Sequence, residues 1–214
     1  MLTKAKKRTM VGGLMAGVAL LGAAVAGGFS SRPSAEPVSV GDSAPSFTLT
    51  DTNGESHTLA DYRGKTVVLE WFNPDCPFVK KFHTDSSVMR DTHAKFAGDS
   101  EIVFMAINSG APGKQGAGLE RNRKAVEEYQ IGYPVLLDES GEVGKAFGAK
   151  RTPEIFVIDA EGVVRYHGPI DDNSSYREVG QNYLELAVTQ VKNGETDVVR
   201  PQIGVYGCSV KYAK

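Results

Sequence analysis

Cysteine is scarce in this 214-residue chain, which holds two, Cys76 and Cys208. Neither stands close behind the apolar N-terminal run, so nothing supports a lipidated N-terminus. Histidine is scarce as well. His57, His83, His93 and His167 lack the short spacings of a metal site, and no metal is expected. An excess of positive charge is missing. The chain carries 24 basic against 26 acidic residues; beyond residue 26 the balance is 20 against 26, net −6, which argues against nucleic acid as a partner. Two enzyme signatures are missing too. "NSGAPGKQGAG" (108–118) sits between strand and helix as a phosphate loop would, but Asn108 replaces the first glycine and Gln115 replaces the Ser/Thr, so it reads as a flexible loop. No Gly-x-Ser-x-Gly elbow offers a serine nucleophile.

What is present is ordinary for a globular protein: with 41% hydrophobic and 23% charged residues, one compact domain is the expectation. The N-terminus departs from it. "MLTKAKKR" is a basic opening, and "MVGGLMAGVALLGAAVAGG" is free of charge and contains Ala24-Val25-Ala26, a cleavage-type pattern. Residues 1–26 therefore read as an export signal, with a retained membrane anchor as the alternative. The protein is expected outside the cytoplasm, periplasmic or otherwise, and in contact with a membrane only if that segment stays uncleaved. Residues 27–39 read as a linker, 40–196 as the domain and 197–214 as a tail without clear periodicity. Outside the cytosol disulfides persist, so Cys76 and Cys208 read as either a structural staple or a redox pair.

Within the domain, two short β segments meet at Asn53-Gly54, a hairpin pair. "KTVVLEWF" has the continuous apolar character of a strand buried on both faces. A helical stretch follows, with Phe78, Phe82, Met89 and Phe96 on one face. "EIVFMAIN" (strand), "LERNRKAVEEYQ" (helix), "YPVLLD" (strand) and "GEVGKAFG" (short helix) continue the alternation. "EIFVIDAEGVVRYHG" gives two strands about Glu161-Gly162, and "YREVGQNYLELAVTQVKNG" a last helix stopped at Gly194. Parallel strands joined by helices and closed by an antiparallel hairpin make a three-layer α/β sandwich with a central mixed sheet, an N-terminal β-hairpin extension and a C-terminal tail.

Cys76 falls where the strand hands over to the helix. Unpaired N–H groups at a helix start stabilise a negative sulfur, Pro77 suits the first helical position, and Lys80 and Lys81 lie one turn on. A lone cysteine is more often a small hydrophobe in a core, but strand-to-helix switch points are where open α/β sheets keep their sites. Thr152-Pro153 stands just ahead of an apolar strand; a cis proline there would bring main-chain groups up to the thiol.

"VGDSAPSFTLTDTNGESHTLADYRGKTVVLEWFNPDCPFVKKF", "MAIN", "YPVLLDESGEVGKAFGAKRTPEIFVIDAEGVVRYHGPIDD" and "GCSVKY" together resemble the redoxin, or AhpC/TSA peroxiredoxin-like, branch of the thioredoxin superfamily over roughly residues 40–212. The resemblance implies a thioredoxin-like fold, Cys76 as the attacking thiol, Pro153 as the cis proline, Thr152 as adjoining backbone, and Arg151 near where an arginine supports the thiolate. The departures are specific. Val79 stands where Cys-x-x-Cys proteins have a second cysteine, and Asn73 where typical peroxiredoxins have a threonine. The implied function is thiol-based reduction of a peroxide, an antioxidant activity, with an external thiol as electron donor; the sequence leaves Cys208 three roles, a resolving thiol, a structural staple to Cys76 or an incidental free thiol, the first two ranked above the third. Thiol–disulfide exchange is the alternative, and a non-catalytic binding module with a Cys76–Cys208 disulfide the second. No cofactor is expected, and the sequence leaves the oligomeric state open.

Overall fold

The computed structural model describes residues 36–214. The export segment and most of the linker lie outside them. No helix among the described residues is long and apolar enough to cross a membrane.

Seven strands form the central sheet: β1 (Thr48–Asp51), β2 (Ser56–Thr58), β3 (Thr66–Trp71), β4 (Ile102–Asn108), β5 (Val135–Leu137), β7 (Glu154–Ile158) and β8 (Val164–Gly168). Their order is β2-β1-β5-β4-β3-β7-β8. β3, β4 and β5 run parallel, while β1, β2, β7 and β8 pair antiparallel at the flanks, so the sheet is mixed. A separate two-stranded ladder joins β6 (Arg151–Thr152) to β9 (Cys208–Ser209), the latter in the tail.

β3 is buried at every position because both of its faces are covered. Val67, Leu69 and Trp71 point into a core with Phe147, Phe156 and Leu59; Val68 points into a second core shared by the helices of the other face. These are α1 (Pro77–His83), α2 (Val88–Phe96), α3 (Leu119–Glu128) and α5 (Tyr183–Lys192), whereas Phe147 comes from α4 (Glu142–Phe147). Helix, sheet and helix make the three layers. The hairpin of β1 and β2 turns at Gly54, whose φ of 89° suits glycine.

Two expectations about helices need correction. The single helix expected after Cys76 is broken into α1 and α2 over residues 84–87. There Thr84 Oγ1 donates to Lys80 O and Ser86 Oγ to Lys81 O, so short hydroxyl side chains occupy the carbonyls that end α1. Phe82, Met89 and Phe96 still enter one core, because the break preserves their common side. The last helix starts at Tyr183, not Tyr176; Asn182 caps it by accepting from Glu185 N–H at 3.0 Å.

Candidate active site

Cys76 is the N-cap of α1, with extended backbone at φ −84° and ψ 125°, and Pro77 takes the first helical position. Its carbonyl accepts the N–H groups of Val79 and Lys80, each at 3.0 Å. The side chain is 1% exposed, and Sγ donates to Thr152 O at 3.0 Å. The Thr152–Pro153 bond is cis. Proline fits here because β7 begins only at Glu154, where N–H groups are needed again.

β6 carries Thr152 to Cys76 and also receives the tail. In the register of β6 and β9, Thr152 lies opposite Cys208 and Arg151 opposite Ser209. The two cysteines, remote in sequence, are therefore brought together at one residue, Thr152. Both are free thiols, Cys76 buried and Cys208 half-buried. Burial first, then a hydrogen bond to Cys76 and the charge on that sulfur, push the Cys208 thiol up to about 12; Lys211 and Arg151 pull weakly the other way. Arg151 itself is exposed.

Three sets of contacts hold this arrangement. Glu154, buried, accepts the N–H groups of Lys150 (2.8 Å) and Arg151 (2.7 Å) through Oε2, and its Oε1 meets His167 Nε2 at 2.6 Å. The tail is fixed by Tyr206, whose hydroxyl donates to Asp171 and whose ring lies 5.7 Å from Phe78, edge-on. Beyond Cys208, Val210 N–H donates to Lys150 O, Ala111 N–H to Lys211 O, and Tyr212 OH to Ala149 O. On the other side of Cys76, Asn73 accepts from Asp75 N–H and donates to Gln115 O, while Arg121 pairs with Asp75 at 2.9 Å.

These contacts correct several expectations. Lys81 does not lend its charge to the thiol. It is 1% exposed and its Nζ is committed to Asp171 Oδ2 (2.9 Å), Asn173 O (2.6 Å) and Tyr206 OH (3.2 Å). Lys80 remains exposed at the surface. Residues 108–118 are no flexible loop: Asn108 Nδ2 donates to Gly116 O and Asn122 Oδ1, and a Cβ at Gly116 would lie 2.0 Å from Asn73 Oδ1. His57, read as lacking metal-ligand spacing, does lie within reach of Asp51 and Glu55. Asp51 is already occupied there, accepting Asn53 and Glu55 N–H and contacting His57, whose other nitrogen meets Tyr62 OH. That set closes the hairpin turn.

Glu154, Asp171 and Tyr206 were not foreseen from sequence. Glu154 had one signal, a carboxylate opening the otherwise apolar "EIFVI". Asp171 and Lys81 had none, since their pairing spans 90 residues.

Comparison with known proteins gives the family and the fold. The AhpC/TSA family profile matches residues 40–167. The thiol-disulfide oxidoreductase ResA of Geobacillus thermodenitrificans is 30% identical over 149 residues, covering 69% of this chain and 78% of that protein. A Synechocystis protein named as a peroxiredoxin is 30% identical over 174 residues, covering 76% and 84%. Among solved structures, an uncharacterized conserved protein from Geobacillus kaustophilus superposes with a TM-score of 0.72 at 28% identity, covering 82% of this chain and 93% of that one. The fold is thioredoxin-like. With the profile spanning Cys76, Thr152 and Pro153, the chain belongs to the AhpC/TSA family and is a thiol-based redoxin.

Proposed function

We propose that the protein reduces small peroxides through Cys76, resolved within the chain by Cys208. The observation that carries this is the burial of Cys76 next to Cys208. A peroxide is small enough to reach a thiol that is 1% exposed, whereas a folded protein's disulfide is not. The Cys76 thiolate attacks one peroxide oxygen: the S–O bond forms, the O–O bond breaks, and the alcohol or water leaves with a proton. Sulfur is oxidised by two electrons to the sulfenic acid. Cys208 then displaces that oxygen as water, forming the Cys76–Cys208 disulfide, and an external dithiol returns two electrons by exchange. Cys208, the more accessible of the two, is where that donor engages. None of these steps calls on a nucleotide, flavin or metal.

Mass spectrometry after a brief pulse of hydrogen peroxide tests this. Wild type is expected to convert to the intramolecular disulfide and Cys208→Ser to accumulate Cys76 sulfenic acid. A Cys76 inert to peroxide but quick to exchange with a small disulfide would instead establish the second reading, thiol–disulfide exchange, which the likeness to ResA supports. Inertness to both would leave a binding module. Export of the mature chain is part of the proposal, and N-terminal sequencing after secretion checks it.

A further inference from the structure

Among the described residues, one buried side-chain nitrogen or oxygen lacks a hydrogen-bond partner: Thr152 Oγ1. Thr152 is 1% exposed. A hydroxyl removed from water and left unpaired carries its full desolvation penalty, and native interiors keep few of them. Its position gives that orphan a meaning. Thr152 lies directly opposite Cys208 in the β6–β9 ladder, and opposed side chains stand on the same face, their Cβ atoms about 4.5–5.5 Å apart. The carbonyl of the same residue accepts the Cys76 thiol. The unpaired hydroxyl thus belongs to the residue whose side chain stands beside that of Cys208 and whose carbonyl holds the Cys76 thiol, and neither sulfur carries an oxygen in the reduced protein.

We propose that the Thr152 hydroxyl is a catalytic group, held without a partner in the reduced protein so that it can donate to the oxygen atom transferred to Cys76. This rests on the peroxide-reducing reading. As the S–O bond forms and the O–O bond breaks, negative charge gathers on the oxygens, and a donor fixed in a dry site stabilises it without reorganising. Thr152 is neither oxidised nor deprotonated. In the second step the Cys208 sulfur attacks Cys76, the S–S bond forms, and the same oxygen leaves as water with the proton of the Cys208 thiol. The hydroxyl, on the Cys208 side, stabilises that departure as well. Its neighbour carbonyl, an acceptor, cannot serve this role.

Thr152→Val keeps the branched shape and the carbonyl but removes the donor; Thr152→Ser keeps the donor. Two rates are measured with hydrogen peroxide: sulfenic acid formation, by trapping in a Cys208→Ser background, and disulfide closure with Cys208 present. The valine variant is expected to be slower by about tenfold in at least one step, the serine variant to stay near wild type. The melting temperature of the valine variant should hold or rise, since an unpaired hydroxyl is gone; Thr152→Ala replaces it should valine disrupt the fold. If wild type forms sulfenic acid and the hydroxyl-free variants match it within about twofold in both steps, the Thr152 assignment is wrong and the function stands. If wild-type Cys76 never gains an oxygen, the function itself is wrong, and this inference falls with it.

Discussion

Burial and the neighbouring Cys76 sulfur both oppose the Cys208 anion and raise its pKa above that of an ordinary thiol. In the proposed cycle Cys208 is therefore a poor competitor for oxidant and acts second, once Cys76 has become an electrophile. The same shift sets a pH dependence. A thiol raised to about 12 in the folded protein and titrating at about 8.5 unfolded favours the native state fully below the unfolded value; that contribution is lost as pH rises toward the folded one. Iodoacetamide labelling of Cys208, followed by peptide mapping, should accelerate with pH without levelling off near the ordinary thiol range. In Cys76→Ser the profile should move to lower pH. Lys81 and Asp171 make a different argument. Both are buried, so Asp171→Ala strands an ammonium group and is expected to cost about 3–5 kcal/mol in urea unfolding, whereas Lys81→Met with Asp171→Leu should recover much of it.

At the scale of elements, the decisive piece is the tail strand β9. It contributes two residues to a ladder and brings one cysteine to the other. Tyr206 holds it at one end and Tyr212 at the other. Tyr206→Phe keeps the ring against Phe78 and removes the hydroxyl shared by Lys81 and Asp171. Amide exchange at Val210 should then rise while β3 and β4 amides stay protected, because the opening is local. Uniform acceleration across the sheet would mean instead that the tail supports the whole fold. The strands of the sheet were legible from sequence, since β3 and β4 are apolar runs and β1 and β2 flank a turn dipeptide. The break between α1 and α2 was hidden, because Met89 and Phe96 keep the apolar step across it. β9 was hidden for another reason: a two-residue strand has no period to detect. The site's geometry was legible where one residue marks its own place, as the N-cap Cys76, the first-turn Pro77 and the cis Pro153 do, and illegible where it depends on a pairing across the chain, as for Lys81 with Asp171.

For the whole molecule, oxidation is a change of chain topology. A bond between Cys76 and Cys208 closes a loop of about 130 residues, worth roughly 5 kcal/mol in the chain-entropy account. The oxidised protein should melt well above the reduced one, and a Cys76→Ser, Cys208→Ser protein should show no difference between oxidising and reducing buffer. Equal melting of the two wild-type forms would say that bond formation strains the site by as much as it constrains the unfolded chain.

The antiparallel pairing of Thr152 with Cys208 also has a consequence in time. A chain is made from its N-terminus at roughly 5–20 residues per second, so Cys76 precedes Cys208 by about 7–26 s. For that interval the newborn chain carries Cys76 without the residue that lies opposite Thr152 in the finished fold. Until β9 arrives, any disulfide made by Cys76 can form only with a thiol of another molecule.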